Sequence, residues 1–124
     1  MSHSRIVEDA RVQFDEIFEK SEQSVYLYLD DANRACNERF ARLLGYASAE
    51  EWAGVKENFP EAFVAPKSRR TLVSAYRNAV ENFAGSTVKV SWVKKNGGEV
   101  ATTTILVPIQ YEGHVMALHF IELA

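Results

Sequence analysis

Apolar residues recur every three or four positions near the N-terminus: Ile6, Val7, Ala10, Phe14, Ile17 and Phe18, with charged residues between them. That period places them on one stripe and predicts a single amphipathic helix over 4–20, with Ser4 positioned to cap it. The period changes after Ser21-Glu22-Gln23-Ser24. Val25-Tyr26-Leu27-Tyr28-Leu29 is rich in β-branched and aromatic residues and reads as a strand, closed by the turn residues Asp30-Asp31-Ala32-Asn33. Asn37 is placed to cap a short helix over 38–44, with Phe40, Leu43 and Leu44 on its inner side and Gly45 where a left-handed C-cap belongs. Ser48-Ala49-Glu50-Glu51 forms a capping box leading into Trp52, in which Glu51 is expected to reach back to the cap amide. Gly54, Pro60 and Pro66 divide 53–66 into short helical turns. Helical spacing returns over 67–83, where Leu72, Val73, Tyr76, Ala79, Val80 and Phe83 line one side and Gly85 follows as the stop.

The remainder alternates with period two. Val88, Val90 and Trp92 oppose Thr87, Lys89 and Ser91 in a first strand, and Asn96-Gly97 supplies a hairpin signal because both residue types tolerate positive φ. A long strand over 100–111, a tight turn at Glu112-Gly113 and a last strand over 115–123 complete a meander. The isolated first strand must join it, because unpaired backbone groups cannot be buried. The expected fold class is therefore α+β, an antiparallel sheet with its helices on one face. The last strand, Val115-Met116-Ala117-Leu118-His119-Phe120-Ile121, is apolar on both alternating sets and needs cover on both sides. The N-terminal helix, or a second copy of the chain, is the expected cover for the second face.

Composition narrows the function classes. A chain of 124 residues fits one domain, and its 47% hydrophobic and 25% charged content is that of a globular fold. The formal net charge is −3 and the tightest basic group is only Lys67, Arg69 and Arg70, so direct nucleic-acid binding is not expected. A single cysteine, Cys36, can form neither an internal disulfide nor a structural zinc site, which fits a reducing compartment. No apolar run approaches the roughly 20 residues that span a bilayer, and the N-terminus lacks the apolar core of a signal peptide. These features predict a cytoplasmic protein with no membrane partner.

From about Val25 to Leu123 the order and spacing resemble a PAS domain. The residues that carry the resemblance are Tyr28-Leu29-Asp30-Asp31, then Asn37-Glu38-Arg39-Phe40-Ala41-Arg42-Leu43-Leu44-Gly45-Tyr46, then Ala49-Glu50-Glu51-Trp52, the long helix, and Trp92-Val93-Lys94-Lys95-Asn96-Gly97-Gly98. The resemblance implies a sheet of about five strands, with a brief second strand around 34–36. It divides the chain into an N-terminal amphipathic helix over 1–22, expected to dimerise, and a PAS-like domain over 23–124. The chain departs from the family in lacking the Asp-x-x-Gly turn before Asn37 and the Asp-Ile-Thr junction after the last strand. The sequence ends at Glu122-Leu123-Ala124 with no coiled-coil linker or output domain; if it is a full gene product, any effector protein is expected to act in trans.

Haem-binding members of that family carry a ligand histidine on the long helix, and 67–83 holds none. Light-sensing members place a reactive cysteine in the later helical region, whereas Cys36 precedes the first inner helix. Haem and flavin are therefore not expected, and the cofactor is left open. His114 falls in a predicted turn and reads as solvated; His119 lies in the last strand and can face either side. A lone histidine lacks the further ligands a metal needs, so no metal site is expected. No Ser–His–acid set can be assembled from spacing, Thr102-Thr103-Thr104 reads as strand propensity, and Asp30-Asp31 and Glu50-Glu51 read as turn and cap. No catalytic residue is assigned.

The aromatics leave two readings open: simple core packing, or an internal cavity that holds a small molecule. If the interior is hollow, the candidate ligand-binding residues are Tyr28, Asn37, Phe40, Trp52, Tyr76, Thr104 and His119. The favoured function is a PAS-like sensory or regulatory signalling module that binds a small molecule in an internal cavity, mediates protein–protein (homodimer) contacts, or does both. Alternatives are a purely structural interaction domain with a filled core and, last, a small cone-shaped α+β enzyme using Asp30 or Asp31 as base, which would need a carboxylate of raised pKa in the pocket.

Overall fold

The structure, a computed structural model, describes the backbone of residues 3–124 and the side chains from Arg5 onward. Its elements run α1 (His3–Gln13), α2 (Asp15–Lys20), β1 (Ser24–Asp30), β2 (Asn33–Cys36), α3 (Glu38–Leu43), α4 (Ala49–Ala53), α5 (Phe59–Phe63), α6 (Pro66–Asn82), β3 (Ser86–Val93), β4 (Glu99–Tyr111) and β5 (His114–Leu123). All five strands form one antiparallel sheet in the order β2-β1-β5-β4-β3. The first strand does join the meander, and it does so beside the last strand, Tyr26 opposite His119 and Leu27 opposite Leu118.

Period-two alternation then sorts side chains into two cores. On the inner face Tyr26, Cys36, Val90, Trp92, Leu106 and Ile121 meet Phe40, Trp52, Phe59, Phe63 and Leu72 from α3–α6. On the other face Val25, Leu27, Met116 and Leu118 are covered by Ile6, Val7, Ala10 and Phe18. The helices are thus not all on one face: α1 and α2 cover the second, the role anticipated for the N-terminal segment.

Local departures from expectation each have a physical reason. The helix over 4–20 is broken at Phe14 (φ −101°, ψ 26°), and the offset brings Phe18 into the same cluster as Ile6, Val7 and Ala10. Ser4 lies inside α1, and its side chain is outside the described residues. Ser48 caps α4 by accepting from Glu51 N, but Glu51 reaches past the cap amide to accept from Ala47 N at 2.8 Å and from Lys95 Nζ at 2.8 Å. Of Asn96-Gly97 only Gly97 has positive φ; Gly97 N donates to Lys94 O and Lys94 N to Gly98 O, which closes a longer loop than a two-residue turn. The two-residue turn occurs instead at Glu112 (φ 52°) and Gly113 (φ 79°), between the paired Tyr111 and His114.

Helix α6 stops at Phe83, which takes the left-handed conformation (φ 51°, ψ 43°), and not at Gly85. Gly85 serves close packing: a Cβ there would stand 3.0 Å from Leu106 O on β4. Gly85→Ala is therefore expected to destabilise the fold by about 1–3 kcal/mol through overpacking. Phe83→Gly, at an exposed position, should stabilise it by about 0.5–1 kcal/mol by relieving the left-handed strain. Urea unfolding of both variants checks the pair; a stabilised Gly85→Ala or a destabilised Phe83→Gly would overturn this explanation of the helix end.

Candidate functional site

A cavity of about 430 Å³ lies between α5, α6 and the inner face of the sheet, within the range of roughly 300–1,000 Å³ typical of small-molecule sites. Its floor is Tyr26, Tyr28 and His119 from β1 and β5; Phe59, Val64, Leu72, Tyr76 and Val80 form its walls. Asp31, Arg69, Arg77 and Glu81 also line it. Helical spacing explains the α6 wall, since Leu72, Tyr76 and Val80 recur every four residues and share one side.

Tyr28, Tyr76 and His119 of the candidate set line this space. Tyr28 donates to the Asp31 carboxylate and Tyr76 donates to Leu29 O at 2.8 Å, while their rings meet edge-on at 4.8 Å between centroids. Burial pushes the Tyr76 hydroxyl up to about 12, and burial together with the Asp31 hydrogen bond raises that of Tyr28 further. Both stay protonated near neutrality and act as hydrogen-bond groups, not bases.

His119 faces inward and is 1% exposed. Its ring stacks on Tyr26 at 3.9 Å with 11° between planes, and Nδ1 lies 3.1 Å from Ala117 O. A carbonyl only accepts, so Nδ1 carries the hydrogen and Nε2 the lone pair. Burial lowers the pKa to about 3, against the opposing pull of the Ala117 and Tyr26 backbone carbonyls. The ring is therefore neutral at physiological pH.

Asn37, Phe40, Trp52 and Thr104 lie away from the cavity, each committed to the scaffold. Asn37 accepts from Phe40 N (3.0 Å) as the α3 cap and from Val25 N (3.1 Å), and donates to Gln23 O (3.0 Å), so one side chain joins α3 to β1. Phe40 packs on Tyr26, Trp52 and Trp92 at 5.0, 5.4 and 5.3 Å. Trp52 is fully buried, and its Nε1 has no hydrogen-bond partner among the described residues. Thr102 receives Trp92 Nε1 (2.9 Å) and donates to Val90 O (2.8 Å), which leaves Thr104 to donate to Thr102 across 3.2 Å. The threonine run is thus a buried network spanning β3 and β4. His114, expected in a turn, is the first residue of β5, with Nδ1 3.0 Å from Glu112 O.

Sequence reasoning missed Arg69, Leu72 and Val80 as cavity residues and named Asp31 only as a base in the enzyme alternative; the shared helical side of Leu72, Tyr76 and Val80 was the available signal. Asp30 is the turn residue expected, accepting from Ala32 N and Asn33 Nδ2, whereas Asp31 points its carboxylate to Tyr28. The structure also reveals a buried Arg34, 5% exposed, whose guanidinium donates to Trp52 O (3.0 Å), Val55 O (2.7 Å) and Asp31 O and lies over the Trp52 and Phe63 rings. It fastens the C-terminal end of α4 to β2, a contact that nothing in the spacing announces. Burial raises the Cys36 thiol well above its ordinary pKa, with Glu38 adding to the effect, so it is held as the thiol. Among the described residues no helix is long and apolar enough to cross a membrane.

The folded pKa of His119 lies below its unfolded value of about 6.5, so between about pH 6.5 and 3 the unfolded chain binds the extra proton. Its contribution to stability is complete above pH 6.5 and is lost as pH falls, at up to about 1.4 kcal/mol per unit. Urea unfolding between pH 7.5 and 4.5 should show this slope, and His119→Phe should flatten it. An equal slope in the variant would mean that other groups cause the acid sensitivity.

No protein-family model matches the sequence, and no curated protein matches it. Solved structures do match in fold. The PAS domain of an HTR-like protein from Haloarcula marismortui is 18% identical, with 97% of this chain and 96% of that chain aligned at a TM-score of 0.64. A PAS domain from Colwellia psychrerythraea is 21% identical over 94% and 98% of the two chains, at 0.67. VqmA bound to DPO is 13% identical over 91% of this chain and 57% of that one, at 0.68; a Vibrio cholerae VqmA dimer aligns at 0.65. These alignments extend over nearly the whole of this chain, its five-stranded antiparallel sheet and helices included: the chain has the fold of a PAS domain.

Proposed function

We propose that this chain is a sensory or regulatory module that binds a small molecule in the cavity between α6 and the β1–β5 floor. The observation that carries this reading is the hollow itself: about 430 Å³, partly open to solvent and lined by aromatic and aliphatic side chains with a few polar and charged tips. A filled core, the alternative reading, has no use for such a space in a chain of this size. An enzyme would need a placed acid or base, and the tyrosine hydroxyls and neutral His119 are poorly suited to that work near neutrality. The structural likeness to VqmA, described as bound to DPO, supports the same reading without naming this chain's ligand.

The signal would travel by population shift. Strands β1 and β5 face the cavity with Tyr26, Tyr28 and His119 and face α1 and α2 with Val25, Leu27 and Leu118. Occupancy that moves the floor therefore changes the seat of the N-terminal helices. Native mass spectrometry of the purified chain should show a retained small-molecule mass, or a set of small aromatics should raise its melting temperature. Leu72→Trp, which fills the cavity from α6, should abolish both while circular dichroism stays native. Absence of any bound mass and of any thermal shift in the unaltered chain would favour the filled-core domain.

Residues 1–22 are proposed as a dimerisation element together with the outer sheet face. Val12 on α1 is 69% exposed and Val107 on β4 is 37% exposed, and Ile105 and Phe120, paired across β4 and β5, are only half-buried. A second copy of the chain is the proposed cover. Deleting residues 1–20 would also strip Ile6, Val7, Ala10 and Phe18 from the chain's own core, so point changes are the better test. Val12→Glu with Val107→Glu should convert a dimer to a monomer in light scattering, and an unchanged mass would remove this face from the interface.

A further inference from the structure

Two polar groups on the cavity floor are left unused by the fold. The Tyr26 ring is 1% exposed, and no described residue exchanges a hydrogen bond with its hydroxyl. Its ring faces are taken by Phe40 (5.0 Å, 25°) and His119 (3.9 Å, 11°), so the hydroxyl edge remains for the cavity it lines. His119 spends its Nδ1 hydrogen on Ala117 O, and the distal Nε2 keeps a lone pair with no described donor. Elsewhere in this core most polar groups are paired, as in the Trp92–Thr102–Val90 and Asn37 networks, and the unpartnered Trp52 Nε1, Arg34 Nε and Ser86 Oγ belong to residues outside the cavity lining. A buried acceptor without a donor is costly, and a ligand can remove that cost.

The charged lining favours neither sign. Asp31 and Glu81 offset Arg69 and Arg77, Asp31 is held by Tyr28, and Arg69 Nε is bound to Pro60 O and Val64 O, each at 3.1 Å. The floor itself carries no charge, so a charged ligand would lose its hydration without a matched partner. The other surfaces a ligand would meet are rings: Phe59 against Tyr28 at 5.0 Å, and Tyr76 against Tyr28 at 4.8 Å, both edge-on. Edge-on rings of this kind suit another aromatic ring.

We infer that the cavity selects a small neutral aromatic molecule bearing an O–H or N–H group, which donates to His119 Nε2 while the ring lies against Phe59, Tyr28 and Tyr76. The Tyr26 hydroxyl can donate to an acceptor on the same ligand. This inference rests on the small-molecule reading and adds the ligand's chemistry to it.

Three probes of one shape test it by calorimetric titration of the intact chain at pH 7.5: 2-naphthol, 2-methoxynaphthalene and 2-naphthoate. We expect 2-naphthol to bind about three- to tenfold tighter than 2-methoxynaphthalene, the worth of one net hydrogen bond, and 2-naphthoate to bind weakest. In His119→Phe, folded by circular dichroism, the two neutral probes should bind alike. Should that variant misfold, the Nε2 resonance of His119 in the unaltered chain provides the same readout, shifting with 2-naphthol and not with 2-methoxynaphthalene. Equal affinity for the neutral probes, or a preference that survives His119→Phe, overturns the inference but leaves the cavity reading standing. Tightest binding of 2-naphthoate overturns it in favour of Arg69 and Arg77 as the selecting groups. If no probe binds, the inference falls, while the cavity reading is decided separately by the bound mass and thermal shift of the unaltered chain.

Discussion

The pairing of β1 with β5 is the contact on which the rest of the molecule depends. These strands come from opposite ends of the chain, and bringing them together costs loop-closure entropy that no local contact returns. The cost is met because both strands are apolar on both alternating sets, so a single ladder seeds two cores at once. The register sets Tyr26 opposite His119 on one side and Leu27 opposite Leu118 on the other. A slip by one residue would exchange the two faces, placing the tyrosines under α1 and the leucines in the cavity.

The inner helices are then fastened by side chains that belong to the strands. Asn37 closes the N-terminus of α3 and reaches both Val25 and Gln23, and Arg34 gathers carbonyls of Trp52 and Val55 at the end of α4. These short helices could not hold themselves, being well under the length at which isolated helices form. With α3 and α4 anchored, Phe40 and Trp52 fill the centre of the core. The unfilled volume falls where α6 spans the β1–β5 floor, bridged by Tyr76 to Leu29 O.

That arrangement explains why the interior is chemically quiet. Burial holds the tyrosine hydroxyls protonated, His119 neutral and Cys36 as a thiol, so the site offers directional hydrogen bonds and ring surfaces with no nucleophile or base among these groups. The same two strands that carry these groups also seat α1 and α2 on their reverse side.

Much of this was legible in the sequence where the determining interactions are local. Asn37, Ser48 and Gly45 mark helix ends because a cap acts within three residues, and the two periods separate α6 from β3–β5 because side-chain direction repeats along the chain itself. The apolar doubling of the last strand even announced that a second cover was needed. What spacing could not decide was which way His119 faces, whether Asn37 and Thr104 serve the fold or the cavity, that Phe83 and not Gly85 ends α6, and that Arg34 lies buried over Trp52 and Phe63. Each of these depends on atoms brought together from distant parts of the chain: the β1–β5 register turns His119 inward, the approach of β4 occupies the space beside Gly85, and the end of α4 offers Arg34 its carbonyls. The sequence by itself determined the elements and the two-faced need for cover; only the tertiary structure decided where the aromatics pack solid and where they leave room, because a void is set by the fit of many side chains and by no pattern along one strand or helix.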